Sequence, residues 1–280
     1  MTAPPRPLTL LSGNLLAGGI GRSRTERRFE PLLRIAAELQ PDAAAFQEAL
    51  YWDEDDHRRL HEAEHLLGMH GLLGISPRTH MHTAIFVRPP LRVTAHRVHA
   101  GGIWHHSATR AVIAWDTDET SEAGRITLVN AHLSPRSPTR RILEAEELTE
   151  LAVPGTLTLL AADTNTPDRR TDLSTATARE LARDARPDTR TPDTTPVDRL
   201  LRAGFLDLAD LNGATRPART TGYWPGKPIA SRPDRLLATP AAANLLEGID
   251  VIDTPELRAL TDHLWLLGRF RVRIPRTCSR

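Results

Sequence analysis

The stretch "LLAADTNTPD", residues 159–168, runs from hydrocarbon directly into polar residues. Leu157, Leu159 and Leu160 read as the end of a core strand, and Asp163 and Asn165 follow, one residue apart and so on one side of an extended chain. Two readings compete. Asp, Asn and Pro are all good turn formers, so the stretch can be a plain turn. Alternatively, a strand leaving the core delivers a carboxylate and a carboxamide to one place. The rest of the chain decides between them.

Outward from this stretch, further short apolar runs read as strands: residues 7–16, 42–50, 82–88, 110–116, 125–133, 156–165 and 232–240, with a C-terminal pair around "LWLLGRFRVRI". Helical spacing links Phe29, Leu32, Leu33, Ala36 and Leu39. "HRRLHEAEHLLG" and "SPTRRILEAEELTELA" are two more helix candidates, the second capped by Ser137 or Ser134. Strands and helices alternate with hairpin-length gaps, which predicts an α/β chain with several antiparallel neighbours rather than a pure βαβ series. There is no internal repeat. Residues 166–198, rich in Thr, Asp, Arg, Ala and Pro, read as a flexible loop or insertion with a short helix in "STATARELARDA". The 280 residues are expected to form one domain spanning 1–280.

Composition narrows the function. Hydrophobic content of 40%, charged content of 25% and a net charge of +1 describe an ordinary globular chain with no global pull toward a polyanion. The basic residues are nearly all arginine, Lys227 being the only lysine. The single cysteine, Cys278, excludes an internal disulfide and a thiolate metal cluster. No apolar run approaches membrane-spanning length, and no basic cluster precedes the apolar N-terminal run, so a cytoplasmic location is the expectation. Nothing points to a protein partner.

Nearly every expected strand ends in a polar group that a core does not need. Asn14 follows "LTLLSG", Gln47 and Glu48 close "PDAAAFQE", and His132 sits in "LVNAHL". Asp234 lies in "RPDRLL", and Asp262 with His263 in "TDHL". Carboxylates, amides and imidazoles without thiolates suit a hard divalent cation and a phosphate whose charge it offsets.

These motifs, in this order and over essentially the whole chain, resemble the endonuclease/exonuclease/phosphatase superfamily, the Mg-dependent phosphoesterases that include deoxyribonuclease I, abasic-site endonucleases, sphingomyelinases and inositol-polyphosphate phosphatases. "SGN", "PDAAAFQE", "NAHL", "ADTN", "RPDRLL" and "TDH" match the family's first-strand Asn and its "PD…QE", "THL", "GDFN", "RIDY" and "SDH" motifs. "GFLD" and "RTTGYWPG" resemble its approach to the fifth motif. The resemblance implies a four-layer α/β sandwich of two packed mixed sheets flanked by helices, and hydrolysis of a phosphoester by in-line water attack with Mg2+ or Mn2+ as cofactor.

It also implies roles. Glu48 would be the principal metal ligand, with Asp262 and Asn14 contributing to the metal shell. Asn14 would help position the phosphate. Asp163 would orient or deprotonate the water, Asn165 would hold a phosphate oxygen or the metal shell, and Asp234 would fix the His263 imidazole. His132 would contact the scissile phosphate or assist the leaving group.

The chain departs from the family pattern in "ADTN", which lacks the Gly and Phe, and in Arg235, which replaces an aromatic. Leu16 and His132 stand where abasic-site endonucleases carry Asp and Tyr, which counts against base-excision repair. Residues 65–115 hold five arginines and eight histidines but no Asp or Glu. They can form a positive wall beside the phosphate site, with Arg110 as a substrate-binding candidate, or merely solvated strand faces. A nuclease is the leading expectation. A small-molecule or inositol-type phosphatase is the alternative; the aromatic content of 4% offers few stacking platforms for bases. A catalytically silent binding protein on the same scaffold is the alternative from another class.

Overall fold

The computed structural model describes residues 6–21, 24, 27–115, 124–211 and 218–274. Twelve strands are formed among them: β1 (Arg6–Asn14), β2 (Ala43–Leu50), β3 (His70–Gly74), β4 (Met81–Val87), β5 (Arg92–Ala100), β6 (Ser107–Ala114), β7 (Arg125–His132), β8 (Thr158–Asp163), β9 (Leu206–Asp207), β10 (Asp234–Ala238), β11 (Leu246–Ile252) and β12 (Trp265–Ile274). The α-helices are α1 (Phe29–Glu38), α2 (Glu54–Leu67), α3 (Pro138–Thr149), α4 (Ala178–Asp184), α5 (Thr195–Ala203) and the short α6 (Leu208–Leu211), α7 (Pro240–Ala243) and α8 (Pro255–Leu260). Cys278 lies outside the described residues.

The strands make two mixed six-stranded sheets, in the orders β11-β12-β1-β2-β4-β3 and β5-β6-β7-β8-β10-β9. Strand alternation sorts the apolar residues into three layers of core. Leu10, Ala45, Ile85, Ile113, Leu128 and Ala161 fill the space between the sheets. Their neighbours Leu11, Phe46 and Phe86 face outward onto α1 and α2 through Leu32, Leu33, Ala36, Leu60 and Ala63. On the other side Val129, Leu160 and Ala162 face α3 and α5 through Ala145, Leu148 and Leu200. The central strands are thus buried on both faces, which is why they read as continuous apolar runs. This is the four-layer sandwich that the motifs implied.

The expected helices are present, α3 being capped by Ser137, whose hydroxyl accepts from the Arg140 N–H. The sequence pattern did not single out β3, β5, β9 or β11, and the stretch 264–274, expected to hold a pair of strands, forms the single strand β12. β5 is an edge strand with both faces largely open to solvent, so it carries no apolar alternation. Within 166–198, α4 opens with a capping box between Thr177 and Glu180, and Leu173, Ala176 and Ala185 bury together against Ile229.

Two parallel pairings place the chemistry. β1 runs parallel to β2, with Asn14 opposite Gln47, and β7 runs parallel to β8, with His132 opposite Asp163. β10 begins antiparallel to the end of β8, with Asp234 opposite Asp163. β12 begins just after His263. The outgoing ends of β1, β2, β7 and β8 and the incoming ends of β10 and β12 therefore converge on one rim of the sandwich. Asn130 pins the sheets together between these ends: its amide donates to the Phe46 and Ala84 carbonyls at 2.8 and 2.9 Å and accepts from Gln47 at 2.7 Å.

Candidate active site

Each polar residue on the rim is there because of a local backbone device. Gly13 lets the Trp265 ring lie against β1; a Cβ at Gly13 would sit 2.5 Å from that ring. Trp265 and Thr261 then donate to the Asn14 carbonyl at 3.2 and 2.9 Å, tying β1 to the segment that carries Asp262 and His263. The β2–β4 pairing shifts register between Phe46 and Ala49, and Glu48 takes a left-handed φ of 60°. In a regular strand Gln47 and Glu48 would point to opposite faces; the bulge aims both inward.

Glu48, Asn14 and Asp163 form one bonded row across the two sheets. The Asn14 amide donates to Asp163 Oδ2 at 3.0 Å and to Glu48 Oε1 at 3.3 Å. Glu48 Oε2 accepts from the Ala17 N–H at 2.6 Å. Asp163 Oδ1 accepts from the Asn165 N–H at 2.9 Å. The opening stretch thus turns after all: the strand ends at Asp163, and Asn165 sits at φ 47° in an Asx turn rather than on the same side of an extended chain. The turn and the site are one feature, since it is Asp163 that closes both. The Asn165 amide donates to the Leu133 carbonyl at 2.9 Å.

Asp234 and His263 are also bonded. His263 Nδ1 lies 2.8 and 3.0 Å from the two Asp234 oxygens, and Thr220 donates to Asp234 Oδ2 at 2.5 Å. Asp163 Oδ2 stands 3.9 Å from His263 Nδ1 and 3.5 Å from His132 Nε2. Burial works against the charged His263 ring, but the carboxylates of Asp234 and Asp163 override it and push the imidazole up to about 10. Burial and the nearby Asp163 charge push Asp234 up. Both directions say that the pair holds a proton across the neutral range. Burial also works against charge on Asp163, yet the fields of His263 and His132 and the bonds from Asn165 and Asn14 hold its carboxyl below the ordinary range.

The donor set fits a hard divalent cation. It is built of carboxylate and amide oxygens without a thiolate. Asp262 is buried, its Oδ2 accepts from Lys227, and its Oδ1 has no hydrogen-bond partner among the described residues. Asp163, Asp234 and His263 bring ligand-type atoms within 4.8 Å of one another, but a His263 ring protonated and bonded through Nδ1 is a partner of Asp234 rather than a ligand. A second such group, Asp53, His80 and His82, does not fit a metal. His82 Nδ1 accepts from the Ser76 N–H at 2.9 Å, so Nε2 carries the proton it gives to Asp53 at 2.7 Å and has no lone pair to offer.

Eight of the nine residues singled out in the sequence converge on this rim: Asn14, Glu48, His132, Asp163, Asn165, Asp234, Asp262 and His263. Arg110 does not. It pairs with Val129, whose side chain belongs to the outer core under α3, so Arg110 lies on the opposite face of the sheet from His132. Arg235 is buried, and Asp207 of "GFLD" receives it at 2.8 Å and Arg232 at 2.9 Å. A buried ion pair therefore stands where the family pattern has an aromatic. Sequence reasoning missed Glu144 of α3, whose two oxygens accept from the His105 and Ser134 N–H groups at 2.6 and 2.7 Å, on either side of His132. It shares the buried face of α3 with Ala145 and Leu148, but along the chain it reads as one more acid in "LEAEEL" and gave no signal.

Comparison with known proteins follows the same lines. The sequence profile of the Endonuclease/Exonuclease/phosphatase family matches residues 11–263, which span the site from β1 to His263. The chain belongs to this family. It is a hydrolase acting on phosphoester bonds. No curated protein matches it. Solved structures share the fold at low identity. An AP endonuclease from Archaeoglobus fulgidus is similar with a TM-score of 0.68 at 17% identity, over 95% of this chain and 100% of that one. A 3′ phosphatase from Neisseria bound to product DNA hairpin gives 0.69 at 15%, over 94% and 99%. A mannosyl-6-phosphatase from Bacteroides thetaiotaomicron gives 0.63 at 15%, over 93% and 98%. Among the described residues no helix is long and apolar enough to cross a membrane.

Proposed function

We propose that this phosphoesterase hydrolyses a phosphodiester by in-line attack of water, acting as a nuclease. The observation that carries the reaction is the bonded row Glu48–Asn14–Asp163 set beside the Asp234–His263 pair. Asp163, ionised at neutral pH, accepts a hydrogen bond from the attacking water and takes its proton as the new P–O bond forms. His263, held cationic by Asp234, and His132 through Nε2 donate to the phosphoryl oxygens as their charge grows. Asn14 holds Asp163 in place, and Asn165 faces the phosphate. Glu48, Asp262 and Asn14 would hold a divalent cation, Mg2+ or Mn2+, which supplies Lewis acidity at the phosphate.

Polyanion recognition is supported by the basic edge beside His132. Burial lowers the His105 ring's affinity for a proton, and the charges of His132, Arg140, Arg78 and Arg136 lower it further, which reports how closely these groups gather. The phosphatase reading has its own support. A cavity of about 610 Å³ opens beside Asp262 and His263, walled by α4 and lined by Arg136, Arg179, Arg183 and Lys227. That is the size of a small-ligand pocket.

Nicking of supercoiled plasmid in Mg2+ separates the two readings. The nuclease requires nicking that disappears with EDTA and in Asp163→Ala and His263→Ala. An intact plasmid alongside turnover of a phosphomonoester would move the assignment to the phosphatase.

A further inference from the structure

We infer that His106 is a positioning residue for His132, its ring face doing what a hydrogen bond does for most catalytic imidazoles. The inference rests on the reading of His132 as a group that meets the scissile phosphate. A working imidazole is usually aimed by a hydrogen bond at its second nitrogen, which fixes both tautomer and ring plane. His132 lacks that device. Its Nε2 points toward Asp163 Oδ2 at 3.5 Å, while Nδ1 is buried with no hydrogen-bond partner among the described residues. Among the described residues, no hydrogen bond at Nδ1 keeps the ring from turning about its Cβ–Cγ bond.

The stop is the flat face of His106. The two rings stack with centroids 4.2 Å apart and planes 14° from parallel. His132 cannot swing out of that plane without driving an edge into its neighbour. The neighbour is itself fixed: His106 is buried, and its Nδ1 lies 2.8 Å from Thr79 Oγ1, which meets Ser76 Oγ at 2.9 Å. His106 lies just before β6 and His132 closes β7, the neighbouring strand, so the two rings meet where the strand ends leave the regular alternation. Glu144 closes the arrangement by holding the backbone at His105 and Ser134. A ring plane kept in this way points Nε2 at the rim where Asp163, Asn14 and Asp234 meet, and misaiming such a group is costly in rate.

The test is hydrolysis of bis(4-nitrophenyl) phosphate in Mg2+ by the full chain. His106→Ala is expected to lower kcat by roughly 10- to 100-fold with KM changed by less than about twofold. His106→Phe, which restores a flat face without a nitrogen, is expected to recover kcat to within about threefold of wild type. In a His132→Ala background, removing His106 should cost nothing more, because the two residues act through one another. The ring-proton NMR signals of His132 in the metal-free protein add a readout independent of turnover. They should move on loss of the stacked ring in His106→Ala and stay near their wild-type positions in His106→Phe.

The inference is overturned if His106→Phe is as impaired as His106→Ala, or if His106→Ala costs a further tenfold without His132. Should His106→Ala fail to fold, the His106→Phe kinetics and ring signals decide alone. A wild-type chain that hydrolyses no phosphoester would sink the proposed function, while the ring signals would still judge the stack.

Discussion

Glu144 allows a prediction with a sign as well as a size. It is fully buried in α3, and burial outweighs its two backbone N–H bonds, pushing its carboxyl from 4.5 up to about 7. Between those values the folded chain binds a proton that the unfolded chain has released. Stability therefore falls as pH rises through this window. The gap of about 2.5 pH units corresponds to roughly 3 kcal/mol. Glu144→Gln removes the titration, but a carboxamide has one acceptor oxygen where the carboxyl has two. Either the His105 or the Ser134 N–H loses its partner, at about 1–3 kcal/mol at every pH. Urea unfolding of the metal-free protein, treated as two-state, should thus show the variant less stable than wild type near pH 4.5. By about pH 8 the difference should have moved some 3 kcal/mol in the variant's favour, enough to cancel the deficit. Parallel stability curves across this range would refute the reasoning, and would mean that the two N–H bonds keep Glu144 charged despite its burial.

Further outcomes follow from the site and its supports. Asp163→Asn should lower kcat by about a thousandfold or more, since the amide cannot take the water's proton; single-turnover hydrolysis measures it. Glu48→Gln should raise the Mg2+ concentration for half-maximal activity by about 10- to 100-fold, read by metal titration. Asp207→Ala strands two buried guanidiniums and should cost about 3–5 kcal/mol in chemical denaturation, whereas activity of the fraction still folded should persist. Gly13→Ala, forced against the Trp265 ring, should cost about 1–3 kcal/mol and weaken metal-dependent activity through the displaced Asn14.

Much of this molecule is legible along the chain because its central strands are buried on both faces and end in chemistry. Asn14, Glu48, His132, Asp163, Asp234 and His263 stood out as polar groups closing apolar runs, and the structure brings them together. The bonds that hold them do not show locally. Glu48 reaches the rim only through a bulge, which leaves no mark in "FQEAL". Asp207 and Arg235 are 28 residues apart and pair because β9 lies beside β10. His106 was one of eight histidines in a basic stretch, and only the folded geometry at the strand ends shows that it stacks on a ring. Arg110 went the other way: its charge suggested a site, and one step of strand alternation sends it to the outer face of the sheet. β5 escaped notice since a strand exposed on both sides has no period to read.

The row Glu48–Asn14–Asp163 crosses from one sheet to the other, and so does the Gln47–Asn130 bond behind it. Neither half of the sandwich owns a complete centre. A small slide of one sheet against the other would leave every ladder of backbone bonds in place while parting the groups that meet at the rim. Hydrolysis in this protein is therefore a gauge of how firmly the halves are docked. Substitutions deep between the sheets, far from any phosphate, will read out as losses of rate.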